Sequence, residues 1–466
     1  MEDTINSEFD IKRFRCDVIG IETRVPTRKR KQQTFINLDN AASTPALQPV
    51  FRKVEKMLAW YSGVHRGTGF KSMTSTRIFD WCHQIIGEFV KADPDTHVVI
   101  LVKNTTEAIN KLSYRLNLTP ADVVISTMME HHSNDLPWRC QGRVEYAALD
   151  QEGRLDLGDV ERKLRFWYPR VRLVTVCGAS NVTGHVNDIY KLAALAHEYG
   201  SQILVDAAQL VPHRGLEMKP HYDPQHIDYL AFSGHKVYAP FGTGVLIGRR
   251  ETFLRGKPEF SGGGTVRLVA RKQVNWAELP DKEEAGSPNV VGAYALAETL
   301  RYLSKIGMER IAGYEEGLTK YLLNALKDIP GLTCYGIGPR VGVVSFNLRG
   351  MEHSLLGAIL AHERGIGVRT GCFCAQPYVR FLLHQNEPED LKTYENMGFW
   401  EMPGMVRISL GAYNTTAEIK ELVKLLRDVA ANRRSYKEDY ILDPALGAFR
   451  PRSGDMLEPQ WDFWQD

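Results

Sequence analysis

From residue 96 the chain alternates short apolar, β-branched runs with segments of helical period. The runs are Val98–Val102, Val123–Ser126, Val144–Leu149, Arg172–Val176, Gln202–Val205, Tyr229–Phe232 and Gly244–Ile247. Segments such as Thr106–Leu116 and Ile189–Tyr199, which read as helices, lie between them. A strand that is apolar at consecutive positions has no polar face to show to water, so both its faces must be covered. The pattern therefore predicts an α/β fold: a mostly parallel seven-stranded sheet with helices on both faces.

Upstream, Val50, Phe51, Val54, Met57 and Leu58 predict an amphipathic helix over 46–60, and a second helix is expected at Thr74–Lys91. After Gly248 the regularity stops, and Glu259–Asn289 is rich in glycine and polar residues. Helices are expected at Val290–Lys305 and Glu309–Lys327. A smaller α/β domain follows, with strands near Val341–Asn347 and Gly367–Thr370 and helices at Glu352–Arg364 and Thr416–Asn432. The last of these begins with a capping box, Thr415 to Glu418. The expected division is an N-terminal segment, 1–45, packed on the small domain; a large domain, 46–300; the small domain, 301–432; and an extended tail, 433–466, docked through Trp461 and Trp464. The basic run Arg28–Lys31 reads as a solvated turn between two short strands rather than a localisation signal.

Composition changes this picture only by exclusion. The 466 residues are 43% hydrophobic and 24% charged, with a net formal charge of +2, so no global field favours nucleic acid or an anionic membrane. No apolar run approaches the roughly 18 residues that span a bilayer. The start of the chain is polar and acidic, without the apolar core of a signal peptide. Seven scattered cysteines do not form a disulfide framework, and a reduced, cytoplasmic enzyme is expected.

Candidate chemistry gathers at the strand ends. Lys236, in Ser233-Gly-His-Lys236, follows one buried run; Asp206, in Asp206-Ala-Ala-Gln209, ends another. Alone, either is ordinary, a surface lysine or a helix-capping aspartate. Together they are the two groups that pyridoxal 5'-phosphate (PLP) chemistry needs, an amine to condense with an aldehyde and a carboxylate to hold a pyridine nitrogen protonated. Asn104-Thr-Thr-Glu107 begins a helix, where capping and phosphate binding by Thr105 and Thr106 draw on the same free N–H groups. Glu130-His-His132 raises metal binding, but no second ligand pair accompanies it, so no metal is expected and His131 is placed over the cofactor ring. Asn181, in a turn of its own right, becomes a donor to cofactor or substrate. Gln209 can donate to the cofactor's ring oxygen, and Ser233 and His235 reach its phosphate. Arg369-Thr-Gly-Cys-Phe-Cys374 offers a Cys-x-Cys pair without the further cysteines a zinc site needs. Its glycine-flanked setting beside an arginine favours thiolate. Arg369 and Arg407 are the candidates for gripping a substrate carboxylate. Leu382–Met405 reads as an insertion near the site mouth, able to close over substrate or receive a sulfur acceptor.

Nine motifs in order resemble the class V aminotransferase-like PLP enzymes, nearest the cysteine desulfurase and selenocysteine lyase branch. They are Leu38-Asp-Asn-Ala-Ala-Ser43, His65-Arg-Gly67, Thr106-Glu-Ala-Ile-Asn110, Glu130-His-His-Ser-Asn134, Ser180-Asn-Val-Thr-Gly184, Asp206-Ala-Ala-Gln209, Ser233-Gly-His-Lys236, Gly286-Ser-Pro-Asn289 and Arg369-Thr-Gly-Cys-Phe-Cys-Ala-Gln-Pro377. The resemblance implies a PLP-dependent transferase of fold type I, a homodimer with its sites at the subunit interface and residues 46–300 as the PLP-binding domain. Lys236 would bind the cofactor covalently, and Ser287 would reach the phosphate of the other subunit. Cys374 would take sulfur from cysteine as a persulfide, releasing alanine, and pass it to an acceptor. Where that branch often has His-His, this chain has Cys372-Phe373, a form similar to molybdenum cofactor sulfurases. The alternatives are C–S or selenocysteine lysis, epimerisation, a sulfurase-like activity, or a PLP-fold scaffold with little turnover.

Overall fold

The computed structural model describes residues 9–28, 32–386, 392–395, 397–398, 401–445 and 447–452. All seven apolar runs form one sheet: β1 His97–Val102, β2 Val123–Thr127, β3 Arg143–Ala147, β4 Val171–Cys177, β5 Gln202–Asp206, β6 Tyr229–Ser233 and β7 Gly244–Arg249. Their order across it is β1-β7-β6-β5-β4-β2-β3, and only β7 runs antiparallel to its neighbours. Alternate residues of each strand enter two separate cores. Ile203, Val205, Leu230, Phe232, Val245 and Ile247 face one layer; Leu204, Tyr229, Ala231 and Leu246 face the other. The period of two within a wholly apolar run is thus what sandwiches the sheet between helices.

The helices that matter for the site are α1 Gln48–Leu58, α2 Phe70–Phe89, α3 Thr105–Arg115, α4 Ile189–Glu198, α5 Val290–Ile306, α6 Met308–Lys327, α7 His353–Arg364 and α8 Thr416–Ala431. α8 begins with the expected capping box. In α1 the stripe is narrower than the periodicity implies: Val50, Val54 and Met57 are buried, but Phe51 and Leu58 are about half exposed.

The later part of the chain carries a four-stranded antiparallel sheet, β8 Leu332–Cys334, β9 Val343–Leu348, β10 Arg369–Gly371 and β11 Met405–Ser409, in the order β8-β9-β11-β10. The N-terminal segment joins it. Ile36–Asn37 pairs in parallel with Ile366–Gly367, and Asp39 bridges to Ser409. Gly184 closes the turn after β4 at φ +75°, and a side chain there would strike the Val343 carbonyl, so this close approach of the two parts demands glycine.

Two expectations are corrected. Residues 433–445 and 447–452 are not an extended tail. Arg433–Asp439 is helical, and Tyr440–Asp443 pairs with Ala448–Pro451 as a hairpin against α7. Tyr436 and Tyr440 are buried there, with the Tyr440 hydroxyl donating to Glu363; Trp461 and Trp464 lie outside the described residues. Arg28 does sit between two short paired strands, Arg24–Val25 and Gln33–Thr34, but it is held by Glu363 and Asp439 rather than solvated. The remainder of that basic run lies outside the described residues.

Candidate active site

The carboxyl ends of β1, β2, β4, β5 and β6 open on one rim, where ligands gather in open α/β sheets. The turns that follow them, with residues from the small antiparallel sheet, wall a cavity of about 320 Å³. Thr105, Thr106, His131, Asn181, Asp206, Gln209, Ser233, His235, Lys236, Arg369, Cys374 and Arg407 all line it. Ser287 does not; it is exposed on the loop before α5.

At one end α3 begins. Asn104 caps it, its side chain accepting from the Glu107 N–H at 3.0 Å. Beside the cap, Thr105 and Ser233 share a hydroxyl contact of 2.7 Å, and Thr106 and Ser133 another of 2.7 Å. Hydroxyls at the positive end of a helix form an anion seat. Glycine at 244 lets β7 approach so closely, since any side chain would collide with the Asn104 backbone.

In the middle stand three titratable groups. Asp206, at the end of β5, is 5% exposed and accepts from the Ala208 N–H at 3.0 Å. Burial raises its pKa, against the pull of that hydrogen bond and of Lys236. Burial brings the Lys236 ammonium down to about 8; Asp206 and Cys374 oppose the shift and Arg407 adds to it. His131 is pushed down to about 3 by burial and by repulsion from Lys236, His132 and Arg407, so the ring is neutral. The Ser133 N–H donates to His131 Nδ1 at 3.1 Å, which leaves the proton on Nε2.

The far wall combines a carboxylate seat with a strained loop. Arg369 and Arg407 are direct cross-strand partners. Asp39 joins them, Oδ2 to Arg369 at 2.8 Å and Oδ1 to Arg407 at 3.1 Å. Arg407 also donates to the Asn181 carbonyl at 3.0 Å, and its buried Nε has no hydrogen-bond partner. In the adjoining loop Phe373 and Cys374 both adopt φ +54°, a left-handed pair that costs about 1–2 kcal/mol per residue. Three hydrogen bonds hold it: the Ala375 N–H to the Cys372 carbonyl at 2.9 Å, the His132 N–H to the Cys374 carbonyl at 2.7 Å, and Asn181 Nδ2 to the Phe373 carbonyl at 2.6 Å. The Arg407 guanidinium lies 4.9 Å from the centre of the Phe373 ring. Cys374 is exposed and lines the cavity; Cys372 is half-buried, does not line it, and burial pushes its thiol up.

Two expected donors each make one contact inside the protein. Asn181 holds the cysteine loop with one N–H, and the Gln209 amide nitrogen donates to the Ala41 carbonyl at 2.7 Å; a second N–H remains on each. Sequence reasoning missed Ser133 and Asp39 as members of the site, although both stand inside motifs it singled out; nothing local to either motif points to a hydroxyl or arginine distant in sequence. The insertion 382–405 lies partly outside the described residues.

A model of the aminotransferase class-V family matches residues 36–422. Among curated proteins, the cysteine desulfurase of Klebsiella pneumoniae (strain 342) is 34% identical over 431 residues, covering 90% of this chain and 98% of that one. That of Haloferax volcanii is 32% identical over 436 residues, covering 90% and 95%. The chain belongs to the class-V aminotransferase family. Solved structures agree. An apo cysteine desulfurase from Thermococcus onnurineus NA1 superposes with TM-score 0.79 at 30% identity, covering 91% of this chain and 99% of that one. The cysteine desulfurase CsdA of Escherichia coli gives 0.75 at 26%, covering 92% and 100%. The family is one of PLP-dependent enzymes, and the cavity of this class-V chain fits that cofactor on its own terms. It offers a hydroxyl-rich helix start for the phosphate, a buried carboxylate held by the Ala208 N–H for the ring nitrogen, and a lysine of lowered pKa lining the same cavity.

Proposed function

We propose that the protein is a homodimeric, cytoplasmic cysteine desulfurase in which Cys374 carries the sulfur. The observation that bears this reading is that Cys374 and the paired arginines line the same cavity as Lys236. Thr105, Thr106, Ser233 and His235 would hold the phosphate of PLP, Asp206 its ring nitrogen, and His131 its face. When bound there, PLP supplies an electron sink that weakens bonds at the α and β carbons of an amino acid. Arg369 and Arg407 orient the substrate carboxylate and so fix where its sulfur lies. Lys236, with a pKa near 8, is suited to take a proton and return it close to neutral pH. The Cys374 thiolate attacks the substrate sulfur. The Cβ–Sγ bond breaks, an S–S bond forms on Cys374, and the electron pair left on carbon takes up a proton to give alanine. An acceptor thiol then removes the outer sulfur. Seven unpaired cysteines support a reducing compartment. Dimerisation is supported by the exposed apolar residues Phe51, Leu58, Phe70, Leu268 and Val269, and by the exposed position of Ser287 outside the lining of its own chain's cavity.

The test is to incubate the cofactor-loaded enzyme with L-cysteine and score alanine and protein-bound persulfide in wild type, Cys374→Ala and Cys372→Ala. Cys374→Ala is expected to lose the persulfide and at least about 100-fold in alanine formation, while Cys372→Ala retains both. Undiminished alanine from Cys374→Ala overturns the assignment.

A further inference from the structure

Two arginines placed directly opposite each other on antiparallel strands repel, and Arg407 is only 3% exposed. What makes the pairing tolerable is a residue from the other end of the chain. Asp39 is pinned through its neighbour Leu38: the Leu38 N–H donates to the carbonyl of Gly367, two residues before Arg369, at 2.9 Å, and the N–H of Ser409, two residues after Arg407, donates to the Leu38 carbonyl at 2.7 Å. Its two carboxylate oxygens are divided, one to each guanidinium. The seat therefore contains two positive charges and one negative before any ligand arrives. Of the Arg407 donors, one N–H of Nη1 is engaged by the Asn181 carbonyl and one of Nη2 by Asp39, while the buried Nε has no hydrogen-bond partner among the described residues, so the guanidinium keeps donors for an incoming carboxylate.

We propose that Asp39 is a specificity-determining residue: a built-in carboxylate that leaves the arginine pair one net positive charge, so that the seat accepts amino acids with one carboxylate and rejects those with two. A single α-carboxylate brings the seat to neutrality. A second carboxylate meets the Asp39 charge with no cation to match it. Asp39 acts through the arginines and is a positioning residue, not a catalytic one. The proposal rests on the amino-acid reading of the cavity, but not on which bond the enzyme breaks.

L-Aspartate and L-asparagine have nearly the same shape and differ by one charge, so the ratio of their dissociation constants reports this discrimination alone. The ratio is measured by calorimetry on the cofactor-loaded enzyme for wild type, Asp39→Asn and Asp39→Glu, with thermal melts alongside. In wild type asparagine binds more tightly. In Asp39→Asn the ratio moves toward aspartate by about tenfold, the order expected for one partly screened charge at short range, and in Asp39→Glu it stays near wild type. Because both ligands are measured on the same protein, a partly unfolded sample does not alter the ratio. An unchanged ratio in Asp39→Asn, an equal shift in Asp39→Glu, or failure of the wild type to bind either ligand overturns the proposal. Failure of the desulfurase reading shows separately, as no alanine from cysteine.

Discussion

Just before β6, Asp228 is fully buried and accepts from His197 Nε2 at 2.9 Å, the Ile203 N–H at 2.9 Å and Arg249 at 3.2 Å. Just beyond the other end of β6, Lys236 faces Asp206, whose carboxylate has one backbone donor. The first cluster resembles a metal site, since ligand atoms of His197, His226 and Asp228 lie within 4.8 Å of one another. Its protons are nevertheless accounted for. His197 presents both ring nitrogens to acceptors, Asp228 and the Pro224 carbonyl, so it is an imidazolium. His226 donates through Nδ1 to the Asp223 carbonyl and accepts from His221. The His197 and His226 rings are stacked 4.0 Å apart at 13°, and nearly parallel rings cannot both aim in-plane lone pairs at one ion. A buried charge surrounded by donors is held far below the ordinary carboxylate range, as Asp228 is; one left short of them is raised, as Asp206 is. Saturation marks the structural end of the sheet and under-satisfaction the chemical end.

The largest effect that can break this contrast is at Lys236. Lys236→Ala is expected to lose about 10³-fold or more in alanine formation, together with the visible absorbance of covalently held cofactor, while its melting changes little. A normal cofactor spectrum in the variant would place the chemistry elsewhere.

Next come the two aspartates, which should respond in opposite ways. Asp228→Asn leaves His197 uncompensated, while Arg249 keeps Glu251, and is expected to destabilise by about 3 kcal/mol in urea, with activity per folded molecule unchanged. Asp206→Asn removes a raised carboxylate, so the cofactor-free protein at neutral pH should be as stable or slightly more stable. Its activity should fall at least about 100-fold. Equal losses of stability in the two variants would dissolve the distinction.

The pH dependence sharpens it further. The Lys236 amine reacts only when deprotonated, so the rate at which cofactor-free protein takes up PLP should rise tenfold per pH unit up to about 8 and level off above it. The smallest effect belongs to His197. Its pKa is raised by Asp228 and the Pro224 carbonyl against burial, so its stabilisation is fully present below the ordinary histidine value and lost as pH rises through the raised one. His197→Gln should cost about 1 kcal/mol at pH 6 and progressively less as the pH rises through the raised histidine value. A difference independent of pH would mean that His197 is not charged.

Much of this was legible in the chain. β2, β5 and β6 coincide with their apolar runs to within a residue, because strands covered on both faces must be apolar throughout. The apolar run at β3 extends two residues past the strand, since Leu149 is apolar for a different reason, a bridge to Leu155. Phe51 and Leu58 carry the same periodic signal as Val50 and Val54, and composition cannot distinguish an apolar position facing the core from one facing outward. The polar end of the chain gave no sign of its helix and hairpin, because what orders them is burial of Tyr436 and Tyr440 and pairing to Glu363 from another element.

The sequence by itself determined the sheet, the rim at which its chemistry collects, and twelve side chains that line one cavity, because strand ends and the turns after them are local features. Only the tertiary structure decided what those side chains are free to do. It gave Asn181 a second task as a clamp on the Cys374 loop and engaged one N–H of the Gln209 amide with Ala41. It also brought Asp39 between two arginines more than 300 residues away, with a separation of 368 to Arg407. Hydrogen bonds and ion pairs are claimed by whichever partner is nearest in space, and nearness across such separations exists only once the cores have packed.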